Sequence, residues 1–139
     1  MNAIVVDASV VATAFFPEPL HQMAVGILAS GQILRAPDLL LAEVGNVVWK
    51  RHGRSELTAA EAESLLGDTV GLPIEYAPSM GLVSLALSLA LRTGRTVYDC
   101  LYLALAVSSQ TILVTADQRF VNGLTGTPFA ASVRWLGEP

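Results

Sequence analysis

Short apolar runs of strand length recur along the chain, separated by stretches whose apolar residues repeat at helical spacing. Residues 3–6, 33–36, 74–77, 111–115 and 132–136 suit buried strands. Helices are predicted over residues 9–16, closed by Pro17, and over 19–29, ended by Gly31. Pro37 and Asp38 open a longer helix to about His52, with Gly53 as its stop. Thr58-Ala-Ala-Glu61 is a capping-box pattern, so a helix should run from there to about Val70. Further helices are expected over residues 80–92, stopped by Gly94, over 96–109, and over 118–124. Strands alternating with helices predict an α/β fold, a mainly parallel sheet with helices on both faces. No linker, repeat or low-complexity tract interrupts the pattern, and 139 residues suit one domain.

Four acidic residues stand out against this apolar frame. Asp7 ends the run Ile4-Val5-Val6, and Asp117 follows the strand-like Thr111 to Thr115. Asp99 is the only charged residue between Thr96 and Gln110, and Glu43 lies inside its predicted helix. A carboxylate in apolar surroundings costs several kcal/mol unless it is paired or binds a metal. Each acid has an ordinary structural reading. Asp7 and Asp117 could cap the helices that follow them. Thr96-Val-Tyr-Asp99 fits a capping box. Glu43 caps nothing, but it shares a helical stripe with Leu39, Asn46 and Lys50 that could simply be exposed.

The conjunction points elsewhere. Ligands of open α/β sheets bind beyond the carboxyl ends of the strands, where Asp7 and Asp117 are expected. If the four acids converge, their repulsion calls for a cation. Helix starts favour the ionised forms of Asp7, Asp99 and Asp117, and ionised oxygen donors are what Mg²⁺ or Mn²⁺ binds. Such a site activates water and steadies the charge of an in-line attack on a phosphodiester. Ser9 and Thr115 flank the acids and could add hydroxyl hydrogen bonds, or act only as local caps.

Composition narrows the partners. Hydrophobic residues make up 53% of the chain and charged ones 14%, enough for a dense core with apolar surface left over. Val10, Val11, Phe15, Phe16 and the 82–91 helix are candidates for such surface, though they could equally pack on the sheet. Net charge is −4, from 12 acids and 8 bases, so setting the four acids aside leaves an even balance. Lys50, Arg51, His52 and Arg54 cluster at a helix end, where the dipole also favours cations. No apolar stretch reaches the roughly 20 residues needed to cross a bilayer. The N-terminus lacks a signal-peptide pattern, and the single Cys100 excludes an internal disulfide framework, so a cytoplasmic protein with no membrane role is expected.

Other chemistries fit poorly. Neither G-x-x-x-x-G-K-[ST] nor G-x-G-x-x-G occurs, His21 and His52 lack ligand spacing, and Ser9 has no G-x-S-x-G context. A phospho-accepting signalling domain would need an acid pair after the first strand and a late lysine, but Val6 precedes Asp7 and no lysine follows Lys50. A phosphatase with a nucleophilic aspartate would want a second one two residues after Asp7, where Ser9 stands. A non-catalytic binding protein has no need of all four acids.

Four segments in order carry a family resemblance. Ile4-Val5-Val6-Asp7-Ala8-Ser9, Ala36-Pro37-Asp38-Leu39-Leu40 through Glu43-Val44-Gly45-Asn46-Val47, Thr96-Val97-Tyr98-Asp99-Cys100-Leu101-Tyr102-Leu103-Ala104, and Leu113-Val114-Thr115-Ala116-Asp117-Gln118-Arg119-Phe120 resemble the motifs of PIN-domain ribonucleases, specifically the VapC toxins of type II toxin–antitoxin systems. The resemblance implies an α/β/α sandwich and a Mg²⁺- or Mn²⁺-dependent endoribonuclease that cuts tRNA or rRNA. It implies Asp7, Glu43, Asp99 and Asp117 as catalytic, metal-holding positions, with Ser9, Thr115 and Asn46 supporting them. It further implies a homodimer silenced by a cognate antitoxin. Gln118 and Arg119 follow Asp117 where some relatives carry a further acid, and Cys100 is smaller than its usual counterpart.

Overall fold

The computed structural model describes residues 2–138. Five strands form one sheet: β1 Ala3–Val6, β2 Ile33–Pro37, β3 Ile74–Ala77, β4 Ile112–Thr115 and β5 Val133–Trp135. Their order is β3-β2-β1-β4-β5 and every pairing is parallel. The register sets Val5 beside Arg35 on one side and Leu113 on the other, and Val6 beside Val114. Strands β1 and β4 are buried over Ile4–Val6 and Leu113–Thr115, so they read as continuous apolar runs rather than alternating ones.

Seven helices cover the sheet: α1 Ala8–Phe15, α2 His21–Leu28, α3 Leu39–Gly53, α4 Ala59–Val70, α5 Val83–Thr93, α6 Val97–Ser108 and α7 Gln118–Gly123. Right-handed crossovers place α1 to α4 on one face, because the chain steps from β1 to β2 to β3 in one direction. The chain then returns across the sheet to β4 and β5, which puts α5 to α7 on the opposite face. The result is the three-layer α/β/α sandwich expected. Helix α6 packs across β1, β2 and β4 and buries every residue from Cys100 to Ala106.

The boundaries differ where turns take residues from the helices. Helix α2 starts at His21, not at Pro19, because the His21 N–H closes a turn onto the Glu18 carbonyl. A short 3₁₀ turn, Ser79–Gly81, precedes α5, anchored by the Asp38 carboxylate accepting from the Ser79 N–H and hydroxyl. Asp38 therefore ties α3 to that turn instead of capping its own helix. The Thr58–Glu61 capping box forms in both directions, as predicted. Arg51 leaves the basic cluster as a structural group: it pairs with Glu18 and Glu56 and lies 3.7 Å over the Phe16 ring.

One expectation needs correction. Val10, Val11 and Phe16 are not spare surface but buried, and Phe15 is half-buried against the core. Helix α5 does leave Val83, Leu85, Leu87 and Leu91 exposed, while Leu82, Ala86 and Leu89 face the core. No helix among the described residues is long and apolar enough to cross a membrane.

Candidate acidic site at the strand switch point

From β1 the chain leaves towards β2, and β4 lies on the other side of β1. That reversal opens a crevice at the carboxyl ends of β1 and β4. Asp7 stands at the end of β1 and Asp117 just beyond β4. Asp99 comes from the first turn of α6 and Glu43 from the second turn of α3. All four line one cleft of about 530 Å³. Its remaining wall residues are Ala8, Ser9, Tyr98 and Tyr102, with Leu39, Ala42, Asn46, Val47 and Lys50 from α3. The stripe Leu39, Glu43, Asn46 and Lys50 is thus a cleft wall, not free surface.

Capping and site roles coincide instead of competing. Asp7 Oδ1 accepts from the Val10 N–H at 3.2 Å, and Asp117 Oδ1 accepts from the Arg119 and Phe120 N–H groups at 3.0 and 3.2 Å. A carboxylate has a second oxygen, so capping a helix leaves a donor for a ligand. Thr96 caps α6 through the Asp99 N–H at 3.1 Å, while the Asp99 side chain lines the cleft.

Hydroxyl groups hold the acids in place. Ser9 Oγ donates to Asp7 Oδ1 and accepts from the Ala116 N–H at 2.9 Å. Thr115 Oγ1 lies 3.3 Å from Ser9 Oγ and accepts from the Asp117 N–H at 3.1 Å. These bonds join the end of β1 to the end of β4, which fixes Asp7 relative to Asp117. Sequence reasoning singled out Ser9 and Thr115 but missed Tyr102, whose hydroxyl donates to Glu43 Oε1 at 2.5 Å. The signal was present: Tyr102 follows Asp99 by three positions, one helical turn along the same face.

The electrostatics of Asp7, Glu43 and Asp99 are those of crowded, partly desolvated carboxylates. Burial pushes Asp7 up to about 6, with the Asp99 charge adding to it and the Ser9 and Thr115 hydroxyls opposing. Glu43 is raised by burial and by Asp99, against the bond from Tyr102. Asp99 is raised by burial and then by Asp117, with Arg95 pulling the other way. Burial, and then the bond to Glu43, also raise Tyr102, so its hydroxyl remains a donor. Among the described residues no ion pair uses any of the four acids.

Hard carboxylate oxygens in this state suit a divalent cation better than a buried proton or a lysine. Among the described residues no three acids are drawn onto a single point tight enough to hold an ion by themselves. They ring the cleft instead. Mg²⁺ keeps several waters and takes one or two carboxylates directly, so an ion in this cleft would be held in part through its water shell.

An all-parallel sheet with an acidic cleft at its switch point defines an α/β/α-sandwich protein of the acidic-site class. The chain belongs to the PIN-domain family, whose pattern it matches over residues 4–122. It is 33% identical to ribonuclease VapC3 of Pyrobaculum aerophilum over 118 residues, covering 84% of this chain and 90% of that protein. It is 32% identical to ribonuclease VapC1 of Mycobacterium tuberculosis over 121 residues, covering 86% and 89%. A crystal structure from Pyrobaculum aerophilum superposes with a TM-score of 0.69 at 24% identity, covering 91% of this chain and 82% of that one. VapBC2 from Rickettsia felis, bound to a fragment of its promoter DNA, superposes with a TM-score of 0.64 at 15% identity, covering 96% and 98%. At these identities the structural matches bear on the fold alone.

Proposed function

We propose that the protein is a Mg²⁺- or Mn²⁺-dependent endoribonuclease, the toxin of a toxin–antitoxin pair, acting in the cytoplasm as a single PIN domain. The observation that carries this reading is the convergence of Asp7, Glu43, Asp99 and Asp117 on one cleft at the switch point. The ribonuclease names of two relatives that each align over more than four-fifths of the chain support it.

Asp7, Glu43, Asp99 and Asp117 would hold the cation, directly or through its water shell. A divalent cation, when bound, supplies charge neutralisation at the phosphodiester and makes water an effective nucleophile near neutral pH. The chain's own residues do the rest. Ser9 and Thr115 fix Asp7 against Asp117, and Tyr102 fixes Glu43, so the carboxylates need little rearrangement on binding. Water adds to phosphorus and gives up a proton, the P–O bond to the leaving ribose breaks, and the departing ribose oxygen takes up a proton. Lys50 and Asn46, further along the α3 wall, would steady the substrate's phosphates; their place in the lining of the same cleft supports this.

The substrate is a structured cellular RNA, tRNA or rRNA. The partners are a cognate antitoxin and a second copy of this chain, for which the exposed apolar residues of α5 offer a surface. Incubating purified protein, freed of co-purifying partners, with total cellular RNA tests the reading. Discrete fragments in Mg²⁺ or Mn²⁺ that disappear with EDTA are expected. Intact RNA in the presence of folded, metal-loaded protein would overturn it.

A further inference from the structure

The cleft extends well past the four acids. Its α3 wall runs from Leu39 to Lys50, twelve residues, or roughly 16 Å of helix. That is more than one phosphate and one cation occupy. The lining around the acids differs in chemistry: Leu39, Ala42 and Val47 are apolar, Lys50 is cationic, and Tyr98 joins the lining from the start of α6.

Tyr98 is anomalous on its helix. Helix α6 buries seven consecutive residues, yet Tyr98 is 63% exposed. Its neighbour Tyr102 is buried and spends its hydroxyl on Glu43, and Arg51, the nearest base after Lys50, is already paired to Glu18 and stacked on Phe16. Tyr98 supports no comparable contact in the core, and it directly precedes Asp99. An exposed aromatic residue beside a phosphodiester-cutting centre, with a cation lining the same cleft, is the chemistry that binds an unpaired nucleotide: a base stacks on the ring while the ammonium takes a phosphate.

Building on the nuclease reading, we propose that Tyr98 is a specificity-determining residue, the platform on which the unpaired base flanking the scissile phosphate stacks, with Lys50 holding a neighbouring phosphate. The enzyme would then select sites by whether a base can leave its stack, and a continuous duplex would be excluded because its bases are not available to the ring.

The test separates binding from cleavage. Short RNA oligonucleotides are titrated in EDTA, where cation-dependent cleavage does not run, by fluorescence anisotropy against wild type, Tyr98→Ala and Tyr98→Phe, each with and without an abasic position. Tyr98→Ala should weaken binding by about 5- to 150-fold, and Tyr98→Phe should stay near wild type. The abasic position should weaken wild type while adding little to Tyr98→Ala. Lys50→Gln should flatten the slope of log affinity against log salt by about 0.7. Tyr98 is largely exposed, so a melting curve matching wild type will show that the variants fold. Equal affinity of wild type and Tyr98→Ala, in a protein that does cut RNA, would overturn this proposal and leave the nuclease reading intact. A wild type that neither binds nor cuts RNA would overturn both.

Discussion

Glu43 and Tyr102 lie 59 positions apart and meet through one hydrogen bond across the cleft. Such bonds decide whether an acid is a cap, a surface group or part of a site. Asp7 shows the energetics most directly. In an unfolded chain an aspartate titrates near 3.9, whereas burial in the metal-free fold lets Asp7 keep its proton up to about 6. The folded state therefore binds the extra proton between those values, so the stabilising contribution is complete below about 3.9 and is lost as pH rises through about 6. Glu43 and Asp99 are shifted in the same direction. Metal-free wild type should melt at lower temperature at pH 7.5 than at pH 5. Asp7→Asn, which retains the cap but not the charge, should flatten that trend and raise metal-free stability at pH 7.5 by about 2 kcal/mol, after discounting for partial solvent access. Thermal melts in EDTA across that range check it; a wild-type curve insensitive to pH, or a variant less stable at pH 7.5, would show that Asp7 is not the strained group described.

At the scale of elements, the strand and helix pattern was largely legible because punctuation and periodicity agreed. The Thr58–Glu61 box set the start of α4, and Gly94, in a left-handed conformation, set the end of α5. What was not legible came from contacts across the chain. The fate of Asp38 depends on Ser79, 41 positions later, and so it could not be read from its place at a helix start. The apolar faces of α1 and α5 look alike in sequence, yet the first is sealed by the sheet and the second is half open. Asp7, Asp99 and Asp117 were legible because strand ends and helix starts are where an α/β sheet gathers ligands, and Glu43 because an acid inside a helix caps nothing; Tyr102 was passed over, despite its spacing from Asp99, because a buried tyrosine in an apolar helix resembles core. Helix α4 lies away from the acidic cleft, and none of its residues lines it. Thr58→Ala should therefore lower stability by about 1 kcal/mol while leaving RNA cleavage unchanged. Loss of activity in a folded Thr58→Ala protein would mean that α4 contributes to the site.

For the whole molecule, sheet order is the decisive property. It brings Asp7 and Asp117, separated by almost the entire chain, to adjacent strand ends, and it sets α3 and α6 on either side of them. Asp7, Glu43 and Asp99, raised by burial and by neighbouring carboxylates, store free energy that a divalent cation would release. The balance of charge agrees: outside these four, acids and bases are even in number. Calorimetric titration of Mn²⁺ into metal-free wild type, Asp7→Asn and Asp99→Asn, paired with melting curves, addresses this directly. Saturable binding by wild type is expected, with stability rising by roughly 2.7 kcal/mol at a hundred times the dissociation constant, and with both variants binding at least tenfold more weakly. No binding by folded wild type, or equal binding by all three proteins, would contradict a cation site built from these acids.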